Sequence, residues 1–181
     1  MPAEFQGKIV VISGGSRGIG RGIAAAFARE GAQCVLASSS ADKLAVASKE
    51  IAKLGTEPLA VAGDLREIKA CEQVFSRVSE RFGRCDILVN NAGRTRAGNF
   101  LELPDDAFVD GFALKYFAAV RLTRLFWPLL KAAQGHVVNI VGGPRARLNR
   151  NFSSAVRSMR RSPISPRGCR SLACAMASMS M

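Results

Sequence analysis

Ser13-Gly14-Gly15-Ser16-Arg17-Gly18-Ile19-Gly20 is the stretch of this chain best suited to holding an anion. It follows directly on the apolar run Ile9-Val10-Val11-Ile12 and opens a segment with helical spacing. Glycines there permit a tight turn and let backbone N–H groups approach a phosphate, and a helix N-terminus adds partial positive charge. An ordinary glycine turn would use the same residue types; the strand–turn–helix setting, followed by a further strand, favours the phosphate cradle. A second stretch, Asn90-Asn91-Ala92-Gly93, ends another apolar run. Side-chain amides and small residues at the carboxyl end of a strand suit a bound ligand; taken alone, a structural asparagine turn explains them as well.

The elements that position these stretches alternate along the chain. Lys8–Ser13 reads as a buried parallel strand. Ile19, Ile23, Ala26 and Phe27 then recur at helical spacing, with Gly31 as the stop. Gln33–Ala37 is a second strand, and Asp42–Leu54 a second helix with Leu44, Ala47, Ile51 and Leu54 on one side and Gly55 ending it. Pro58–Ala62 is a third strand, and Glu67–Phe82 a third helix carrying Cys71, Val74, Phe75, Val78 and Phe82 on its apolar face. Asp86–Val89 is a fourth strand. A loop runs to about Pro104, helix resumes at Asp105 with Phe112–Lys131 as its main part, and His136–Val141 is a fifth strand. This alternation predicts an α/β fold: a parallel sheet covered on both faces and joined by right-handed crossovers. Ligands are expected at the carboxyl ends of the strands, where the strand order reverses.

In order and spacing, residues 6–143 resemble the short-chain dehydrogenases/reductases. Ser13–Gly20 is similar to that family's T-G-x-x-x-G-x-G motif, with Ser13 where Thr is usual, and Asn90–Gly93 matches its N-N-A-G. Asp64-Leu65 matches its Asp-Leu/Val pair, and Val138-Asn139-Ile140 resembles its fifth strand. The resemblance implies a Rossmann-type doubly wound parallel sheet, incomplete, with its first five strands present. It implies hydride transfer between a nicotinamide and a carbonyl or alcohol carbon of an unidentified substrate. It also implies a cofactor site: Gly14, Ser16, Arg17, Gly18, Ile19 and Gly20 at the phosphates, and Ser38 and Ser39 at the end of the second strand. Asp64 would meet the adenine ring, with Leu65 beside it in the site, and Asn91, Ala92 and Gly93 would line the far side.

An acidic residue at the end of the second strand would bond the ribose hydroxyls of NAD and repel the 2′-phosphate of NADP. That segment here is Ala37-Ser38-Ser39-Ser40, and Arg17 beside the pocket can pair with a phosphate. NADP(H) is therefore expected over NAD(H). The family's catalytic residues, by contrast, are absent where the resemblance puts them. Gly142 holds the Ser position, Ala155 the Tyr position, Met159 the Lys position and Ala113 the Asn position. Carbonyl reduction needs an ionisable hydroxyl near the reacting oxygen and a cation close by. No catalytic residue is assigned, and a non-catalytic NADP(H)-binding module stands beside the impaired oxidoreductase. Tyr116, the only tyrosine, is expected to pack in the long helix beside Lys115, and His136, the only histidine, to be structural. Arg94 and Arg96 would favour an anionic group if they border the pocket; a solvated loop explains them as well.

The formal net charge of +12 is unevenly placed: residues 1–143 carry +4 and residues 144–181 carry +8, as eight arginines with no acidic residue. Arg160–Gly168, broken by Pro163 and Pro166, cannot hold a helix or an interior strand. We expect residues 1–143 to form the NAD(P)-binding domain and residues 144–181 an Arg/Ser-rich basic tail, disordered or read out of frame. A one-base shift permits codons from Asn149 onward that spell a helix similar to the one the family has after its fifth strand, with the first base of each codon free. Such a truncated member would expose apolar surface on strand five and the long helix. Nucleic acid is not an expected partner, since Phe152 is the only aromatic residue among the tail's arginines. The five cysteines form no C-x-x-C pair and read as buried free thiols, and no metal site is expected. Met1-Pro2-Ala3-Glu4-Phe5 lacks the start of a signal peptide, and no apolar stretch approaches the ~18 residues that cross a bilayer, so a cytoplasmic protein without membrane partners is expected. A homo-oligomer through the helix at 112–130 is implied by the resemblance.

Overall fold

The computed structural model of the chain describes residues 4–94, 96, 98–99 and 101–141. The predicted tail, and with it the positions Gly142, Ala155 and Met159, lies outside the described residues.

Strand β1 (Ile9–Ser13) is buried at all five positions. It lies between β2 (Gln33–Ser38) and β4 (Ile87–Asn90), and β3 (Leu59–Ala62) and β5 (His136–Asn139) complete a parallel sheet in the order β3-β2-β1-β4-β5. Alternation along β1 feeds two cores. Val11 points to one face, where it joins Val35, Leu88, Val74, Val78, Leu122 and Phe126. Val10 and Ile12 point to the other, where they meet Leu36, Ala24, Ala28, Leu44 and Ile51. The first core is closed by α3 (Ile68–Phe82) and α5 (Ala118–Ala132), which meet edge-to-face through Phe75 and Phe126 at 5.4 Å between ring centroids. The second is closed by α1 (Gly18–Arg29) and α2 (Ala41–Ala52). Full burial of a side chain such as Phe126 stabilises the fold by about 2–3 kcal/mol.

The α1 face differs from the spacing-based expectation. Gly20, Ala24 and Ala28 are buried, whereas Ile19 is 67% exposed and Ala26 is exposed. Small residues win this face because the helix packs close against β1 and β2, and Ile23 and Phe27 flank the contact half-buried. Helix α2 ends at Ala52 rather than Leu54, and β5 ends at Asn139 rather than Val141. The long helix also departs from a single rod. Helix α4 (Asp105–Phe112) passes into a π-helical turn, Ala113–Phe117, before α5 begins. A π-turn accommodates one extra residue and re-aims the side chains on either side of it. Tyr116 is consequently half-exposed, its ring edge-on to Phe117 at 5.3 Å, and does not pack into the core as expected.

At the amino ends of β1 and β4, the Asp86 carboxylate is almost fully buried and joins the two strands. It accepts from the Ile9 N–H at 3.0 Å, from Lys8 Nζ at 3.1 Å and from Arg84 Nε at 2.9 and 3.0 Å. Burial alone would push this carboxyl up. The hydrogen bonds from Arg84, Ile9 and Lys8 outweigh it and hold the pKa at about 2.

Candidate cofactor site

The strand order reverses between β1 and β4, so the carboxyl ends of these strands frame a crevice. Ser13, the last residue of β1, ties its two walls together. Its hydroxyl donates to the Val89 carbonyl at 3.3 Å and accepts from the N–H groups of Asn91 and Ala92, each at 3.0 Å. Asn91 returns the contact, its side-chain amide donating to the Ser13 and Gly14 carbonyls at 3.1 and 3.2 Å. The two stretches singled out by sequence are thus one hydrogen-bonded unit. Ser13 performs the bridging that any β-hydroxyl at that position can perform.

The turn from β1 into α1 is shaped by close approach. A Cβ on Gly20 would stand 2.3 Å from the Gly14 carbonyl oxygen and 2.5 Å from the Asn91 amide nitrogen, so no side chain fits there. Gly18 has φ +54°, a left-handed conformation, and a Cβ on it would meet nothing within 4 Å. Its backbone is therefore bare toward open space. Arg17 occupies the N-cap of α1 without a side-chain cap, and the first turn contains no acidic residue. The leading N–H groups of α1 are left for an external acceptor, which is the requirement for holding an anion.

The other predicted residues surround this turn unequally. Ser16 is buried, and its hydroxyl lies 2.8 Å from that of Ser38 at the end of β2. Ser39 is exposed beside it, and Ser40 caps α2 by accepting from the Lys43 N–H at 3.4 Å. Arg17, Gly18 and Ile19 are exposed at the mouth, while Leu65 is buried in the core and can offer only its backbone. Asp64 is half-exposed at the end of β3, with its carboxylate engaged. Arg66 Nε donates to both Asp64 oxygens at 3.0 Å, and the same guanidinium bridges to Asp110 on α4. The hydrogen bond from Arg66 lowers the Asp64 pKa, against a smaller opposing effect of burial. Asn91 and Ala92 are half-buried, and Gly93 is exposed at the far side.

Arg94 and Arg96, which the sequence leaves between a pocket border and a solvated loop, are exposed and line a cleft of about 430 Å³ with Asp106, Ala107 and Asp110; Arg66, which completes its lining, escapes sequence reasoning. Lys115, in the π-turn, donates to the Ile140 carbonyl at 2.6 Å, directly after β5. The Arg66–Asp110 and Lys115–Ile140 contacts each join segments distant in the sequence, and spacing along the chain does not reveal them. Ala113, where the resemblance leads one to expect the family's Asn, opens the π-turn and carries only a methyl group. Among the described residues no group of His, Cys, Asp and Glu could hold a metal ion. Cys34, Cys71 and Cys85 are buried free thiols, with burial raising all three and holding Cys34 and Cys85 at about 12. No helix among the described residues is long and apolar enough to cross a membrane.

The parallel sheet with its crevice and glycine turn defines a dinucleotide-binding α/β protein. The family model for short chain dehydrogenases matches residues 8–144, and the chain belongs to that family. Oxidoreductase UcpA of Salmonella typhimurium is 42% identical over 103 residues, which are 57% of this chain and 39% of the relative. A 12alpha-hydroxysteroid dehydrogenase of a Clostridium species is 35% identical over 147 residues, covering 77% of this chain and 57% of that protein. Among solved structures, L-sorbose reductase of Gluconobacter frateurii, complexed with NADPH and L-sorbose, superposes with a TM-score of 0.72 at 37% identity, covering 77% of this chain and 54% of that one. An alcohol dehydrogenase of the archaeon Thermococcus sibiricus, complexed with 5-hydroxy-NADP, gives 0.73 at 29% identity, covering 85% and 68%. The chain spans about half the length of the curated relatives it matches.

Proposed function

We propose that this chain carries the cofactor-binding part of an NADP(H)-dependent oxidoreductase. Its reaction would move hydride between a nicotinamide and a carbonyl or alcohol carbon. The carrying observation is the locked turn: Ser13 and Asn91 fix the two strand ends, and Gly20 lets α1 start against the Gly14 carbonyl with its N–H groups free. In this reading Gly14, Ser16, Gly18, Ile19 and Gly20 bound the pyrophosphate, Asp64 and the Leu65 backbone meet the adenine, and Asn91, Ala92 and Gly93 support the far half. When bound, the nicotinamide supplies the hydride; the chain's own residues orient it and exclude water.

The preference for the 2′-phosphorylated cofactor rests on the end of β2. Ser38 and Ser39 stand there with no carboxylate to repel a phosphate, and Arg17 is exposed at the mouth of the turn. NADPH should bind roughly tenfold more tightly than NADH, and Arg17→Ala should erase most of that ratio. Fluorescence titration with both cofactors measures it, and equal affinities for the unaltered chain would remove the preference.

A second reading, a non-catalytic NADP(H)-binding module, draws its support from Ala113, a residue without a polar side chain at the position where the resemblance leads one to expect the family's proton-relaying Asn. Cofactor binding without turnover across a panel of carbonyl compounds would select it; measurable NADPH oxidation would reject it. Phe112, Tyr116, Phe117 and Trp127 on α4, the π-turn and α5 are each about half-exposed or more, which supports self-association through this face. Light scattering across a dilution series decides that point. The buried, unoxidised thiols suit a reducing compartment, and the cytoplasm is the proposed location.

A further inference from the structure

Lys115 is unusual among the described lysines in where its charge is spent. Its ammonium donates to the Ile140 carbonyl at 2.6 Å, and its stem runs against Gly93 so closely that a Cβ on that glycine would lie 2.8 Å from Lys115 Cδ and 3.3 Å from Nζ. Lys115 is exposed overall, but partial desolvation lowers its pKa, and among the described residues no carboxylate forms an ion pair with it. A lysine needed only for solubility would extend into water and keep its full hydration. This one gives up part of that hydration beside the carboxyl ends of β4 and β5, with a single carbonyl in return. An ammonium carries three hydrogens, so two remain to donate.

The position of those two hydrogens follows from the topology. Successive strands run outward from β1 in one direction through β2 and β3, and on the other side through β4 and β5. A dinucleotide anchored by its phosphates at the β1–α1 turn lies across the reversal point, with one half over each flank. The adenosine half belongs over β2 and β3, beside Asp64, and the nicotinamide half over β4 and β5, beside Gly93 and Ile140. The π-turn at Ala113–Phe117 is the local device that presents Lys115 there, and such turns recur at functional sites. Resting on the cofactor reading above, we infer that Lys115 is a positioning residue for the distal half of the dinucleotide. Its ammonium, anchored on the Ile140 carbonyl, donates to oxygens of the nicotinamide nucleoside.

The experiment compares a whole ligand with its half. Affinities for NADPH and for 2′,5′-ADP are measured by calorimetry on the full chain, on Lys115→Met and on Lys115→Arg. Loss of charged hydrogen bonds to the distal half should weaken NADPH on the order of tenfold in Lys115→Met while leaving 2′,5′-ADP unchanged, and Lys115→Arg should recover most of the loss. Equal weakening of both ligands would make Lys115 a mere tie between the π-turn and β5, and no weakening of either would leave it without a role at the ligand; each overturns the inference. A full chain that binds 2′,5′-ADP but gains nothing from the nicotinamide half also overturns it. A full chain that binds neither overturns the cofactor reading itself.

Discussion

Strands β1 and β5 both flank β4, yet all five residues of β1 are buried, whereas His136, Val138 and Asn139 of β5 are exposed. The helices repeat the contrast. Helix α1 buries Gly20, Ala24 and Ala28 against the sheet, while α4 buries no residue at all. A parallel strand needs cover on both faces, because its side chains alternate between them. β1 receives it from two helical layers. β5 receives it from α5 on the Val137 face, and Val138 on the other is 41% exposed. The lesson is that the glycine turn and its lock on Asn91 belong to a self-sufficient flank, while the surface around Lys115 belongs to one that is incomplete among the described residues.

Truncation in the β1 flank tests the first half of that contrast and should have the largest effect. Ile12 is fully buried between Ala24, Ala28 and Leu36. Ile12→Ala leaves a cavity in a layer that cannot collapse, and should cost about 3–4 kcal/mol in urea unfolding. A cost near that of a surface change would mean that β1 is far less tightly packed than it looks. Gly20→Ala probes function on the same flank. Its methyl would collide with the Gly14 carbonyl, a backbone atom that Asn91 holds in place. NADPH affinity should fall by about a hundredfold, on the scale of losing several backbone contacts to the pyrophosphate. Retained affinity would place the phosphates elsewhere.

Much of this flank is legible in the sequence because its determinants are local. The runs at Ile9–Ser13 and Gln33–Ser38 are apolar on both faces, and the motif glycines sit where a turn must cramp itself. What was not legible depends on distance. Helical spacing puts the apolar face of α1 at Ile19, Ile23, Ala26 and Phe27; closeness to the sheet selects Gly20, Ala24 and Ala28, with only Ile23 and Phe27 of the expected set packed against the core. Spacing cannot reveal the π-turn, since Leu114, Ala118 and Leu122 recur at ordinary helical intervals through it. Arg66 and Lys115 carry no signal in the sequence, because the partners that place them, Asp110 and the Ile140 carbonyl, lie far away along the chain.

The seam between the flanks offers a smaller, pH-dependent effect. Asp86, immediately before β4, accepts from Lys8 and the Ile9 N–H at the edge of β1, and its pKa is held at about 2. An unfolded aspartate titrates near 3.9. The folded value is the lower, so the contribution is fully present above about pH 4 and disappears as the pH falls from there through about 2. Asp86→Asn keeps an acceptor for Ile9 and loses the charge. It should cost about 2 kcal/mol at neutral pH, and the gap from the unaltered chain should close on acidification. A gap that persists undiminished at pH 2 would assign Asp86 a purely geometric role.

The smallest predicted effect is the sharpest test of the contrast. Val138→Thr replaces a methyl group by a hydroxyl of nearly the same shape. If Val138 faces water, the change should alter stability by about 0.5 kcal/mol or less. The same substitution at a covered position buries a hydroxyl without a partner and costs about 1–3 kcal/mol. Native-state hydrogen exchange adds the backbone's answer, because the amides of β5 should open at much lower free energy than those of β1. A large cost at Val138, together with strong protection of β5, would mean that this face is covered in solution. Its dependence on protein concentration would then distinguish a second copy from more of the same chain, since only the former dissociates on dilution. A negligible cost would leave β5 as an open flank, and the surface around Lys115 would then have to be organised by ligand rather than by packing.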